Sequence, residues 1–357
     1  MLLPIKPIFS RSQVVRAGNI LRVLDLENYS MALDVLSNWR AIHTYPINTF
    51  QATLRDRLKN IDKDALVAQR LKRSVSIISK LQRYPQMQLS RMQDIGGIRA
   101  IVKDIDAARK LRNLYIESQR FKHELGGQKD YITSPKPTGY RGIHLIYKYK
   151  NINIPDFDGL YIELQIRTKL QHAWATSVET MGTFLKQALK SSEGPDQWLD
   201  FFALTGSAFA MYEKCNPVPG YENLSELEIY AKVLAEAVRL NVTDRLMAYS
   251  IAADQIINQS TGGGSYHLVV LNTHDKTVTV TSYGRRKLEE ANKAYSEYEK
   301  LIIEGDGAIQ VVLVATDSID SLKQAYPNYF LDTNEFLKAL TSIEEELAYA
   351  KKNLPQI

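Results

Sequence analysis

The apolar period of this 357-residue chain changes between residues 84 and 95, and no other feature limits its fold as much. From residue 25 to residue 84, the runs YSMALDVLSNWRAIH, INTFQATLRDRLKN and KDALVAQRLKRSVSIISKL repeat apolar side chains three and four apart, the spacing of one helix face. Pro46 and Pro85 punctuate them. From Ile95 the runs IGGIRAIV, RGIHLIYKY and LYIELQIRT read as strands, separated by the helical DIDAARKLRNLYIES and by turn-rich loops. After Thr168 helices return, as KLQHAWATSVETMGTFLKQAL and PDQWLDFFALTGSAFAMYEKC. Residues 1–215 therefore read as an α+β domain.

The Pro-, Gly- and Asn-rich NPVPGYENLS reads as a linker at 216–224. Beyond it, 225–357 reads as a smaller α+β domain. It opens with a long helix over about 225–258 and a hinge at STGGGS, followed by a hairpin in YHLVVLNTHDKTVTVTSYG that turns around THDK. A helix, the buried-looking strand AIQVVLVAT and two more helices complete it.

Composition removes several function classes. No apolar run reaches the roughly 18 residues of a membrane span. The start, MLLPIKPIFSRSQVVR, lacks the basic segment and cleavage site of a signal peptide. The one cysteine, Cys215, has no internal disulfide partner, which fits a reducing cytoplasm. A net charge of +5, from 45 Lys and Arg against 40 Asp and Glu, permits anionic ligands without demanding nucleic acid. Phosphate loops of the Walker type, dinucleotide glycine fingerprints and zinc spacings are all missing from the sequence.

Four segments carry polar chemistry. In YIELQIRT the period of two sets Ile162, Leu164 and Ile166 on one face and Tyr161, Glu163, Gln165 and Arg167 on the other. Read alone, this is an ordinary half-buried strand with a wet face. In MQDIGGIRAIV, Asp94 stands at the mouth of a strand, where a lone Asp is ordinarily a turn residue. Asp94 and Glu163 together form a pair of oxygen ligands able to share magnesium. In RLKRSVSIISKL, Arg70, Lys72, Arg73 and Lys80 fall on an expected helix, either as a solvated basic face or as a triphosphate clamp. In PKPTGYRGIHLIY, Lys136 and Arg141 suit phosphate, Tyr140 suits stacking on a base, and His144 suits donation to an oxygen. A decorated β-turn explains that stretch equally well. His172 and Trp174 in QHAWA read as packing residues.

In order and spacing, RLKRSVSIISKL, DIGGIR, KPTGYRGIHLIY and IELQIRT, with HAWA following, resemble the synthetase domain of the RelA/SpoT alarmone family over about residues 30–190. The likeness is to its compact single-synthetase branch, the small alarmone synthetases and their toxic relatives. The resemblance implies a nucleotidyltransferase-like mixed sheet and magnesium-dependent transfer of pyrophosphate from ATP to the 3′-hydroxyl of GDP or GTP. It implies ATP contacts from Arg70, Lys72, Lys80 and Arg99, with metal binding by Asp94. Glu163 would bind metal or deprotonate the attacking hydroxyl. Tyr140 would stack on the acceptor base, while Lys136, Arg141, His144, Gln165 and Arg167 place the acceptor.

Some compact relatives instead modify the 3′ end of tRNA or an adenine nucleotide as toxins, which makes tRNA an alternative partner. In that case residues 225–357 would act as an antitoxin-like restraint or as a sensor answering a phage or cellular protein. The pair Tyr326 and Tyr329 in YPNY would belong to that restraint, or to a packed turn. Members of this kind also assemble into homo-oligomers. Departures from the family pattern include Thr138 in place of Asn and Gly142 in place of Ser, which predict a looser acceptor loop. TSVET lacks the usual Glu-His ending. Residues 1–60 carry no paired His-Asp signature, so no hydrolase domain is expected.

Overall fold

Nine strands make one mixed sheet in the computed structural model, which describes residues 5–118, 121–184, 195–246, 256–260, 266–272, 277–304, 309–315 and 333–353, with Leu189 and Asp275. Three helices lead in, α1 (Arg11–Val23), α2 (Tyr29–Ala41) and α3 (Thr44–Leu58). Then come β1 (Leu66–Leu71), α4 (Ser74–Arg83), β2 (Gly96–Val102), α5 (Ile105–Ile116), β3 (Glu124–Asp130), β4 (Ile143–Lys148) and β5 (Tyr161–Thr168). Helices α6 (Lys169–Phe184), α7 (Asp196–Tyr212) and α8 (Glu226–Arg239) follow. The chain finishes with β6 (Ile256–Ser260), β7 (Tyr266–Asn272), β8 (Thr277–Tyr283), α9 (Leu288–Glu304), β9 (Ile309–Ala315) and α10 (Asn334–Asn353). The spatial order is β3-β4-β5-β2-β1-β9-β7-β8-β6. Two of the pairings, β2 with β5 and β6 with β8, are parallel.

The expected period of two in β5 is observed. Ile162, Leu164 and Ile166 are fully buried in one cluster with Ile98, Ala100 and Val102 of β2 and Phe50 and Leu54 of α3. Burying each such side chain contributes roughly 1.5–3 kcal/mol, so this face anchors the sheet and leaves the opposite face for chemistry. A second cluster joins α6, α7, α8 and α10 through Trp174, Phe202, Phe209, Tyr230 and Phe336.

Two expected helices are shorter than predicted. Residues 66–71 form β1, although Leu, Ala, Gln and Arg are good helix formers, because β2 and β9 pair with it on either side. Arg70 is thus a strand residue, Lys72 and Arg73 lie in the connection, and the helix begins only at Ser74. The long helix expected over 225–258 starts on a capping box between Ser225 and Glu228 but stops at Arg239. Asn241 takes a positive φ of 51° just after it, a conformation that ends helices, and residues 256–260 are strand.

The hairpin of β7 and β8 forms as predicted, its turn tied by Asn272 donating to Asp275 at 2.7 Å. In the connection 216–224, Val218 is buried and its N–H donates to Ser207 at 3.0 Å. The C-terminal third packs α9 on β7 and β9 around Leu268, Ala291, Tyr295 and Val311. Its strands continue the N-terminal sheet, because Gln69 and Arg70 of β1 pair with Ala315 and Val314 of β9. Tyr326 and Tyr329 lie outside the described residues.

Candidate active site

Strand register builds the site row by row. Arg70, Gly97, Glu163 and Ile146 lie side by side across β1, β2, β5 and β4, and Ala68, Arg99, Gln165 and His144 form the next row. Between Arg70 and Glu163 stands a glycine, and a Cβ at Gly97 would meet only the Arg70 carbonyl oxygen, at 3.7 Å. The missing side chain leaves a cleft whose lining includes Arg70, Lys72, Asp94, Arg99, Glu163 and Gln165.

Asp94, just before β2, receives Lys72 and Lys80, each at 3.0 Å. Burial alone would raise its pKa, but the two ammonium groups outweigh burial and hold the carboxyl below its usual range. The helix expected to bring these cations together does not extend back to Lys72. Asp94 joins them instead, bridging the β1–α4 connection to Lys80 within α4.

Glu163 is 8% exposed. Its carboxylate accepts from His144 Nδ1 at 2.8 Å and from Gln165 Nε2 at 2.7 Å. Burial pushes its pKa up, the hydrogen bond and charge of His144 pull it down further, and Asp94 opposes them, leaving it below the ordinary value. The other ring nitrogen of His144, Nε2, is hydrogen-bonded to the Tyr140 hydroxyl. That hydroxyl oxygen accepts in turn from Arg167 at 2.9 Å, and Arg167 also reaches Gln165 at 3.3 Å. Tyr140, His144, Glu163, Gln165 and Arg167 are therefore one hydrogen-bonded unit on β4, β5 and the loop between β3 and β4.

Within this unit Tyr140 is buried rather than projecting. Its ring meets Tyr131 and Trp174 edge-on, and burial raises its pKa against the pull of Arg167. The exposed Lys136 ammonium lies 4.6 Å from the Tyr131 ring and 5.2 Å from the Tyr140 ring. Arg141 stands apart, only 3% exposed and paired with Glu213 at 2.8 Å. Trp174 and His172 are both buried, as packing residues would be.

The loop between β3 and β4 is pinned, not loose. Gly139 has φ +89°, and a Cβ there would come within 2.6 Å of the Phe202 carbonyl oxygen. Helix α7 approaches this turn through its own Gly206, where a Cβ would fall 2.6 Å from Gly139 Cα. At Gly142, φ is +148° and a Cβ would press on Arg167 Cγ at 3.2 Å, so a serine in this backbone would push against the arginine that holds Tyr140. Tyr131 and Glu213 escaped the sequence reading. Tyr131 lies outside the quoted motifs and Glu213 at the end of an expected helix, and each meets its partners through tertiary packing.

Residues 69–184 match the family described as the region found in RelA / SpoT proteins. Among curated proteins, the GTP pyrophosphokinase YjbM of Bacillus subtilis is 31% identical over 112 residues, covering 31% of this chain and 52% of that protein. A GTP pyrophosphokinase of Haemophilus influenzae is 30% identical over 155 residues, covering 42% of this chain and 19% of that protein. The chain thus spans about half of the first relative and about a fifth of the second. Among solved structures, the small alarmone synthetase 1 of Bacillus subtilis bound to its product pppGpp aligns with a TM-score of 0.41 at 22% identity, over 48% of this chain and 89% of that one. Among the described residues, no helix is long and apolar enough to cross a membrane. Residues 69–184 thus carry a region similar to one found in RelA / SpoT proteins.

Proposed function

We propose that this chain transfers pyrophosphate from ATP to the 3′-hydroxyl of GDP or GTP. The observation that carries the reading is the cleft itself. A lysine-clamped Asp94 and a histidine-oriented Glu163 share it with Arg70 and Arg99, and the floor at Gly97 is bare. The triphosphate lies along Arg70, Lys72, Lys80 and Arg99, whose charges match a polyanion. The acceptor enters from the β4 side, and its base takes the place of the Lys136 ammonium over Tyr131 and Tyr140. Lys136 and Arg167 then face the acceptor phosphates.

In the chemical step the 3′-oxygen bonds to the β-phosphorus, the bond from that phosphorus to the α–β bridging oxygen breaks, and AMP leaves. The hydroxyl proton passes to Glu163. Catalysis is mainly alignment and charge neutralisation, the work this arrangement of fixed cations suits. The two carboxylates face one cleft closely enough for the Asp94 charge to act on Glu163, an oxygen donor pair that fits magnesium. When bound there, magnesium supplies further neutralisation of the phosphate oxygens. Glu163 is held at low basicity, so its part is to receive a proton at a fixed place rather than to extract it by strength.

The test is incubation of the protein with magnesium, ATP labelled on the γ-phosphate, and GDP, GTP, ADP or bulk tRNA in turn. Label moving to a guanine nucleotide, with transfer slowed about 10²–10⁴-fold by Glu163→Gln, supports the reading. Label on tRNA or ADP alone replaces the acceptor, and no transfer to any acceptor overturns the reaction.

A further inference from the structure

A buried ion pair away from the cleft joins the two ends of the molecule. Arg40 of α2 and Glu299 of α9 pair with side chains only 3% and 5% exposed. Glu299 Oε1 accepts from the backbone N–H of Ser74 at 2.6 Å and from the Tyr295 hydroxyl at 2.7 Å. Its Oε2 accepts from the Ser74 hydroxyl at 2.6 Å and from Arg40. Arg40 also donates to the Ser74 hydroxyl at 2.7 Å and to the Lys72 carbonyl at 2.8 Å, with its guanidinium 4.9 Å over the Tyr295 ring.

Ser74 is the first residue of α4, and the residue before it, Arg73, supplies no side-chain cap. A helix N-terminus presents unpaired N–H groups and favours a negative charge. Glu299 meets both needs from 225 positions further along the chain. Through Arg40 it also fixes the carbonyl of Lys72. Lys72 and Lys80, the two partners of Asp94, are thus held on either side of the residue that Glu299 caps.

Resting on the reading of the cleft as the ATP site, we infer that Glu299 is a positioning residue for the donor phosphates, through which the C-terminal third sets how tightly ATP is held. A buried ion pair is poor value for stability alone, since apolar side chains of similar volume commonly replace one without loss. Its geometry here has a specific effect. It fixes the Lys72–Ser74 turn from which one lysine reaches Asp94 and from which the helix bearing the other begins.

Equilibrium ATP binding, measured by displacement of a fluorescent ATP analogue in magnesium, tests this on the full chain. Glu299→Ala strands the Arg40 charge and risks the fold, so the informative variant is Arg40→Met with Glu299→Leu, its folding checked by thermal melting. The expected result is a near-normal melting temperature, ATP binding weakened about tenfold and GDP binding changed less than twofold. Unchanged ATP binding overturns the inference, as does a parallel loss of ATP and GDP binding, which would mark a merely structural pair. Wild-type protein that binds no ATP sinks the reading of the cleft and the inference with it. Specific weakening of ATP binding in a protein that transfers no label would support the inference while removing the proposed reaction.

Discussion

The two halves of the sheet share one hydrogen-bonded ladder but little else. On β5, apolar and polar side chains alternate, and the polar face carries Glu163, Gln165 and Arg167. On β7 and β9, Leu268, Val269, Leu271, Val311, Val312 and Val314 are buried in unbroken runs. A strand apolar on both faces has no place for a charge, whereas β5 keeps Glu163 and Arg167 on one largely buried face by hydrogen-bonding both to Gln165. Continuity of pairing therefore says nothing about continuity of function. The seam between β1 and β9 is where the charged surface ends. What crosses to the site from the apolar half are side chains of its periphery, Glu299 onto Ser74 and Gln310 within 3.5 Å of Arg73.

The contrast breaks most visibly at Val312, fully buried and paired with Val269. Val312→Asp should cost about 4 kcal/mol or more, because the carboxylate has no partner there. Urea unfolding measures this, and a loss under 1 kcal/mol would mean the apolar half is looser than its packing. In the charged half the sensitive point is backbone. Gly139→Ala should destabilise by about 3 kcal/mol through its φ of +89° and the approach of α7, and should weaken acceptor binding before ATP binding. Equal weakening of both would erase the distinction between the two sides of the cleft.

A smaller effect comes from His43, buried beneath the start of β2 with Nδ1 bonded to the Trp39 carbonyl at 2.7 Å. Burial lowers its pKa from 6.5 to about 4, with the Trp39 hydrogen bond opposing and the Arg40 charge adding to the fall. Between these values the unfolded chain binds the proton and the folded chain does not. Stability therefore falls as pH drops from 6.5 towards 4, by about 2 kcal/mol at pH 5 from this group. Chemical denaturation at pH 7 and pH 5 should show that loss, and His43→Gln should reduce it. An unchanged slope in the variant would assign the acid sensitivity elsewhere.

These elements also show what was legible beforehand. The face carrying Glu163, Gln165 and Arg167 follows from strand period alone, and the order of four motifs pointed to the family whose region matches residues 69–184. Strand β1 was not legible, because LVAQRL has helical propensity and becomes a strand only through neighbours far along the chain. Arg141 looked like a ligand because it sits among the expected ligands, but Glu213 lies in another element and turns it inward. Gly142 suggested slack when judged by residue type, yet the fold around it is tight. In each case local pattern carried the local structure, and long-range packing decided which side chains reach the cleft.

The pairing of β1 with β9 also bears on how the C-terminal third can be removed. A chain cut near residue 220 would lose β9 and leave β1, the strand that carries Arg70, as a raw outer edge with unpaired N–H and C=O groups. Such an edge recruits other strands, including those of neighbouring copies. Poor solubility or growth inhibition caused by that fragment would then reflect self-association as much as released catalysis. Single substitutions at the seam are the cleaner way to separate the two halves.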